Sequence, residues 1–188
     1  AAAVSAVAEL ISDVGASGVL GIDMETTPLD HLRGPIPIRI NKDGTRSKLQ
    51  SKTGTAGLAL DPYQSRVRLI QAWAGGRHVY VFDLDHVDFN VLAPLWAQPM
   101  AIFNAVFEVK RLLAMGVKPS GRIFDVMTAI WLTDGQRPSL EKAAMIYFEL
   151  DIPKALGASD WGCPDLTEEQ IEYAALDAVL CVLLWQTQ

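Results

Sequence analysis

The pattern of apolar and polar positions marks out a chain of interleaved strands and helices. Val4, Val7, Leu10 and Ile11 fall on one face of an Ala-rich N-terminal helix over residues 1–14. Residues 18–22 form a short apolar run ending at Asp23, the pattern of a buried strand. Residues 67–74 and 78–82 read as two further strands, and Gly75-Gly76 between them predicts a hairpin. A short helix is expected over 89–97, a fourth strand over 100–103, and a helix over 104–115. Two more helices are expected over 124–132 and 140–148, separated by Gly135 and Pro138. The longest helix spans 167–185, with Thr167 and Gln170 at capping-box spacing. Three strands in meander order, then helix, strand and a helical run, predict an α/β domain: a mixed central sheet flanked by helices.

Composition narrows the class. With 188 residues, half of them apolar and 20% charged, the chain can bury one sizeable core and is neither collagenous, mucin-like nor wholly disordered. Two cysteines, Cys163 and Cys181, exclude a disulfide scaffold and fit free thiols. No uncharged apolar run reaches the roughly 18 residues of a membrane span, and the nearest is interrupted by Asp177. The N-terminal stretch is Ala-rich with acids at Glu9 and Asp13 and lacks the basic n-region of a signal peptide. A chain opening on Ala1 rather than Met reads as a domain excised or processed from a longer product, and a cytoplasmic or nucleoid-associated setting is expected.

A net charge of −6 argues against nucleic acid as a partner, until its distribution is considered. Residues 31–52 carry Arg33, Arg39, Lys42, Arg46, Lys48 and Lys52 against Asp43 alone. Ile36, Ile38 and Ile40 alternate, and Asp43-Gly44 is a hairpin signal. The whole chain 1–188 therefore reads as one domain with a basic insertion at about 31–60, either a solvated loop or a clamp on phosphates.

Three pairs carry candidate chemistry. Asp23 and Glu25, at i and i+2 where the first strand ends, point to one face of a sheet and repel unless a cation or a proton lies between them. Asn104 and Glu108 share a helix face at i, i+4, as do Tyr173 and Asp177. Each pair has an ordinary reading: acids at a strand end, an N-cap with a solvated acid, and a Tyr–Asp hydrogen bond on a helix rim. Together they offer hard oxygen ligands suited to Mg²⁺ or Mn²⁺ rather than Zn²⁺. No zinc spacing, Walker A run, G-x-G-x-x-G or G-x-S-x-G is present.

In the order D-x-E, N-x3-E, Y-x3-D, the chain resembles the DEDDy branch of 3′–5′ exonucleases, which includes ribonuclease D and the proofreading domain of family A DNA polymerases. The stretches carrying the resemblance are Gly21-Ile22-Asp23-Met24-Glu25-Thr26-Thr27-Pro28-Leu29-Asp30, Phe103-Asn104-Ala105-Val106-Phe107-Glu108 and Glu172-Tyr173-Ala174-Ala175-Leu176-Asp177. Supporting stretches are Arg68-Leu69-Ile70-Gln71, Phe124-Asp125-Val126-Met127, Ser139-Leu140-Glu141 and Ser159-Asp160-Trp161. The resemblance implies an RNase H-like (DnaQ-like) fold and release of nucleoside 5′-monophosphates with two divalent cations, Mg²⁺ or Mn²⁺. It implies that Asp23, Glu25, Glu108 and Asp177 hold the ions and that Tyr173 orients water with Glu25. Thr26, Leu29 and Asn104 would contact the terminal nucleotide.

One position departs from the pattern: Glu108 stands where the family usually has Asp, and leaves open an active site with altered metal preference or a slow, mainly binding domain. The Glu25–Asp30 run looks more like proofreading domains, and Ser159-Asp160-Trp161 is shared with ribonuclease D-like members. DNA with a free 3′ end is the expected partner and RNA the alternative. A polymerase or another domain beyond this chain is a further partner that the resemblance admits, and no membrane partner is expected. Within the basic insertion, Arg39, Lys42, Arg46 and Lys48 are expected to hold the incoming strand.

Overall fold

The computed structural model describes residues 1–32, 38–40, 46–48, 56–153 and 156–188. In chain order these residues form α1 (Ala2–Ser17), β1 (Leu20–Pro28), β2 (Ile38–Ile40), β3 (Arg46–Lys48), α2 (Ala56–Leu60), β4 (Ser65–Trp73), β5 (Tyr80–Asp83), β6 (Met100–Ile102), α3 (Val106–Ala114), β7 (Ile123–Asp125), α4 (Val126–Asp134), α5 (Leu140–Phe148) and α6 (Glu168–Gln186). Short 3-10 turns cover Asp30–Leu32, Phe89–Ala97 and Leu156–Ala158.

Five strands make a mixed sheet in the order β5-β4-β1-β6-β7. β1 pairs antiparallel with β4 and parallel with β6, and β6 pairs parallel with β7. The meander expected from the three sequential strands is the β1-β4-β5 half of this sheet. β2 and β3 pair antiparallel as a separate ribbon, Ile38 opposite Lys48 and Ile40 opposite Arg46. That gives the basic insertion its hairpin. The Asp43-Gly44 turn and Lys42 lie outside the described residues, as do the side chains of Arg39, Arg46 and Lys48.

β1 divides the interior. Leu20, Ile22 and Met24 face one way, into a core with α1 residues Val7, Leu10 and Val14 and with Leu112 of α3. The opposite face carries Gly21, Asp23 and Glu25 and meets α6, whose Ala174, Leu180, Cys181 and Leu184 build the second core with α4 and α5. The Thr167–Gln170 capping box is formed as its spacing predicts. Among the described residues, no helix is long and apolar enough to cross a membrane.

The structure corrects four local expectations. β1 runs on to Pro28, so Asp23 and Glu25 sit within the strand rather than at its end. Residues 89–97 are a 3-10 helix, with Pro94 inside it removing a backbone donor. Residues 123–125 are a short edge strand, and the helix read over 124–132 begins only at Val126, where the Asp125 side chain caps it through the Thr128 N–H. Asn104 is not the N-cap of α3. It sits exposed in the left-handed region at φ 62°, turning the chain between β6 and the helix.

Candidate active site

The site is assembled across the α6-facing side of β1. A Cβ on Gly21 would collide with the Ala178 carbonyl oxygen and lie 2.7 Å from Val182 Cγ2. Only hydrogen at this position lets α6 come so near the strand. Immediately before Ala178 stands Asp177, 5% exposed, facing the acids of β1. Ligand oxygens of Asp23, Glu25 and Asp177 lie within 4.8 Å of one another. A register shift between Glu25 and Thr26, at Arg68 of β4, bends the strand just beyond the cluster.

Glu108 approaches from the first turn of α3. It is 2% exposed, and its Oε2 has no hydrogen-bond partner. It lies outside the tight trio, yet its charge acts on Glu25, and that of Asp23 acts on it. Asp125 accepts the Ala105 N–H at 3.1 Å and so ties the start of α3 to β7. Tyr173, one turn before Asp177, is 8% exposed, and a Cβ on Gly157 would lie 2.8 Å from its hydroxyl. The turn at Leu156–Ala158 therefore closes over that hydroxyl. Thr26 is buried with its hydroxyl donating to the Ala59 carbonyl at 2.8 Å. Leu29 is half-buried beside it.

Burial and mutual repulsion raise the whole cluster. Burial pushes Asp23 up to about 7, against an opposing hydrogen bond from the Met24 N–H. Burial, then the charges of Asp23 and Glu141, push Asp177 up to about 9, while the nearby Tyr173 hydroxyl works the other way. Glu25 is held well above the carboxylate range by burial and by Asp23, Asp177 and Glu108. Glu108 is raised by burial and Asp23, with Arg111 opposing. Tyr173 is raised by burial and then by the surrounding carboxylates, so its phenol stays protonated and acts as a donor.

Such crowding is unfavourable for a bare protein and suits a cation. The donor set is all hard oxygen, and Asp177 Oδ1 and Glu108 Oε2 are buried with nothing to bond to. The residues present therefore fit divalent Mg²⁺ or Mn²⁺. A pH-dependent stability follows. Because these acids titrate higher folded than unfolded, the metal-free domain is most stable below about pH 4 as far as this cluster is concerned. It loses that contribution progressively as pH rises from about 4 to about 7 for Asp23 and about 9 for Asp177. Mg²⁺ or Mn²⁺ should raise Tm by several degrees at about pH 8 and by little at about pH 5. Thermal melts with each ion and with chelator check this.

Three neighbours were not among the candidates read from sequence. Glu141, half-buried at the start of α5, adds negative charge beside Asp177 and Tyr173. Gln71 lies directly opposite Asp23 on β4, fully buried, with neither amide atom bonded. Arg111 is buried one turn beyond Glu108. Gln71 and Glu141 sit inside the supporting stretches, but only the sheet register and the packing of α5 bring them to the acids.

A family model described as 3′–5′ exonuclease matches residues 53–187. That stretch holds Glu108, Tyr173 and Asp177, and the fold adds Asp23 and Glu25 from β1. DNA polymerase I of Aquifex aeolicus is 29% identical over 143 residues, covering 74% of this chain and 25% of that protein. The chain thus spans about a quarter of the length of this curated relative. Among solved structures, Brucella melitensis NrnC bound to pGG is 20% identical with a TM-score of 0.65, over 92% of this chain and 73% of that one. Trypanosoma brucei RNase D in complex with RNA is 17% identical with a TM-score of 0.63, over 98% of this chain and 59% of that one. On this match and on the RNase H-like arrangement of its sheet, the chain belongs to the 3′–5′ exonuclease family, in its DEDDy type.

Proposed function

We propose that this domain hydrolyses the terminal phosphodiester of a DNA strand, single or frayed at its 3′ end, and releases nucleoside 5′-monophosphates. The observation that carries the reading is the convergence of Asp23, Glu25 and Asp177 within 4.8 Å, with Tyr173 a turn away and Glu108 beside them. Asp23, Glu25, Glu108 and Asp177 would hold two divalent ions, Mg²⁺ or Mn²⁺. When bound, these would lower the pKa of the attacking water and neutralise charge on the leaving 3′-oxygen. Water oxygen bonds to phosphorus and yields a proton to solvent, the P–O3′ bond breaks, and the departing oxygen takes a proton from solvent.

The protein supplies position. Glu25 accepts a hydrogen bond from the attacking water, and the protonated Tyr173 hydroxyl orients it without serving as a base. Tyr173→Phe should lower kcat about 10- to 100-fold with KM little changed, measured on a labelled strand. Leu29, half-buried just after β1, and the exposed Asn104, just ahead of α3, would contact the terminal nucleotide. Arg39, Lys42, Arg46 and Lys48 would contact phosphates of the incoming strand. Changing all four to Ala should weaken strand binding and flatten its salt dependence.

Glu108 fits an active site built around the longer side chain. Its helix is fixed by Asp125 at one end and by the fully buried Leu112 further along, so Glu108→Asp would withdraw the carboxylate rather than draw the backbone in. Glu108→Asp should therefore lower kcat about tenfold in both Mg²⁺ and Mn²⁺. A gain would show the extra methylene to be a handicap.

DNA is favoured by the sequence likeness to a DNA polymerase and by the Glu25–Asp30 run. An RNA substrate is the second reading, favoured by Ser159-Asp160-Trp161 and by the likeness in fold to an RNase D solved with RNA. Trimming of matched DNA and RNA oligonucleotides separates them. The proposal expects kcat/KM for DNA about tenfold or more above RNA, and faster trimming of RNA would overturn it.

A further inference from the structure

Arg111 is an arginine buried to 2% exposure that neither metal binding nor water activation uses. It sits on the face of α3 that carries Glu108 and Leu112, with its guanidinium 3.3 Å from the Phe107 ring centroid. Nη1 donates to the Phe107 carbonyl at 3.1 Å. Nη2 donates at 2.7 Å to the carbonyl of Ala59, fifty-two positions away in α2. That same carbonyl accepts the Thr26 hydroxyl at 2.8 Å. One backbone oxygen thus joins three elements: the strand residue following Glu25, the helix that follows the basic stretch in sequence, and the helix that carries Glu108.

α2 has only five residues, too few to be stable alone. Its Leu60 is exposed and its Leu58 and Ala59 are only half-buried. Two donors on one carbonyl, one of them charged, are a strong local restraint. A cleft of about 380 Å³ whose lining includes Ser65, Arg66, Leu84, Phe89, Arg111 and Met115 takes in none of the four acids.

We propose that Arg111 is a positioning residue for nucleic-acid binding: through the Ala59 carbonyl it holds α2 against the Thr26 end of β1, at the rim of the acid cluster. It rests on the nuclease reading for its consequence, not for its geometry. Loss of the anchor frees α2 and weakens the grip on the strand, while the trio of acids across β1 and α6 keeps its spacing. The expected signature is a split between binding and chemistry.

The test compares wild type, Arg111→Ala, Arg111→Lys and Thr26→Val in three measurements. Amide hydrogen exchange over residues 56–60 should accelerate about tenfold or more in Arg111→Ala and Thr26→Val, and less in Arg111→Lys, which retains one charged donor. Mn²⁺ affinity, by calorimetry, should stay within about twofold of wild type. On a labelled strand, KM should rise about tenfold in Arg111→Ala, and less in Arg111→Lys, while kcat stays within about threefold; Thr26→Val is read by exchange alone. Should Arg111→Ala not fold, Arg111→Lys carries the kinetic comparison and Thr26→Val the exchange comparison. Unchanged exchange at 56–60, or a fall in kcat with KM unmoved, would overturn the proposal. If wild type itself cleaves nothing, the nuclease reading fails, and the exchange measurement still decides whether Arg111 anchors α2.

Discussion

Asp177→Asn is expected to cut strand trimming at least about a thousandfold while leaving the metal-free domain as stable as wild type or more so. The two effects have one cause. Asp177 is buried on α6 opposite two acids of β1, and burial together with the charges of Asp23 and Glu141 opposes its ionisation. In a bare protein that arrangement is a cost, and the amide removes it. In a working nuclease the negative charge is what holds a divalent ion, and the amide cannot replace it. A structural acid would show the opposite pairing, with stability lost and activity kept. The measurements are a thermal melt in chelator and initial rates on a labelled strand in Mg²⁺ and Mn²⁺. The stability gain should grow with pH between about 5 and 9, because the wild-type penalty grows as the carboxylate is forced to ionise.

Gly21→Ala should strongly destabilise the fold, because it drives the central strand β1 away from α6. The new Cβ would meet the Ala178 carbonyl oxygen and lie 2.7 Å from Val182 Cγ2, both on α6. Backbone cannot yield as a flexible side-chain tip does, so strand and helix must separate. A cost of about 3 kcal/mol or more is expected, read as a lower midpoint in urea. The same separation would carry Asp177 away from Asp23 and Glu25. Protein that remains folded should then lose about a hundredfold in kcat, since displacements near 1 Å matter at a positioned site. Added Mn²⁺ should restore little of the stability, in contrast to wild type, because the separated oxygens no longer share an ion.

The positions of strand and helix residues explain what could be read before any coordinates. Alternation along β1 puts Asp23 and Glu25 on one face, and the 3.6-residue period puts Tyr173 above Asp177, so both pairs are visible as spacing. The capping box of α6 is visible for the same reason, being a contact within four residues. β7 is not, because its three residues, Ile123–Asp125, merge with the apolar pattern of the helix that follows and gain strand geometry only from pairing with β6. Arg111 and Gln71 escape for a related reason. An arginine beside apolar Leu112 and a glutamine within a strand read as surface groups. Only the return of Ala59 to α3, and the antiparallel register that sets Gln71 against Asp23, give them partners or neighbours. Gly21 did carry a signal, since glycine inside a strand marks a close approach, but the approaching element lies 157 positions later in the sequence.

The most direct test is the fate of a 5′-labelled single strand incubated with the domain in Mg²⁺ or Mn²⁺, beside Asp23→Ala and a chelated control. A ladder shortening from the 3′ end, with nucleoside 5′-monophosphate released, absent from Asp23→Ala and from the chelated sample, is what four converging acids and one tyrosine predict. Strands left intact at high enzyme concentration, or shortened equally by Asp23→Ala, would contradict it.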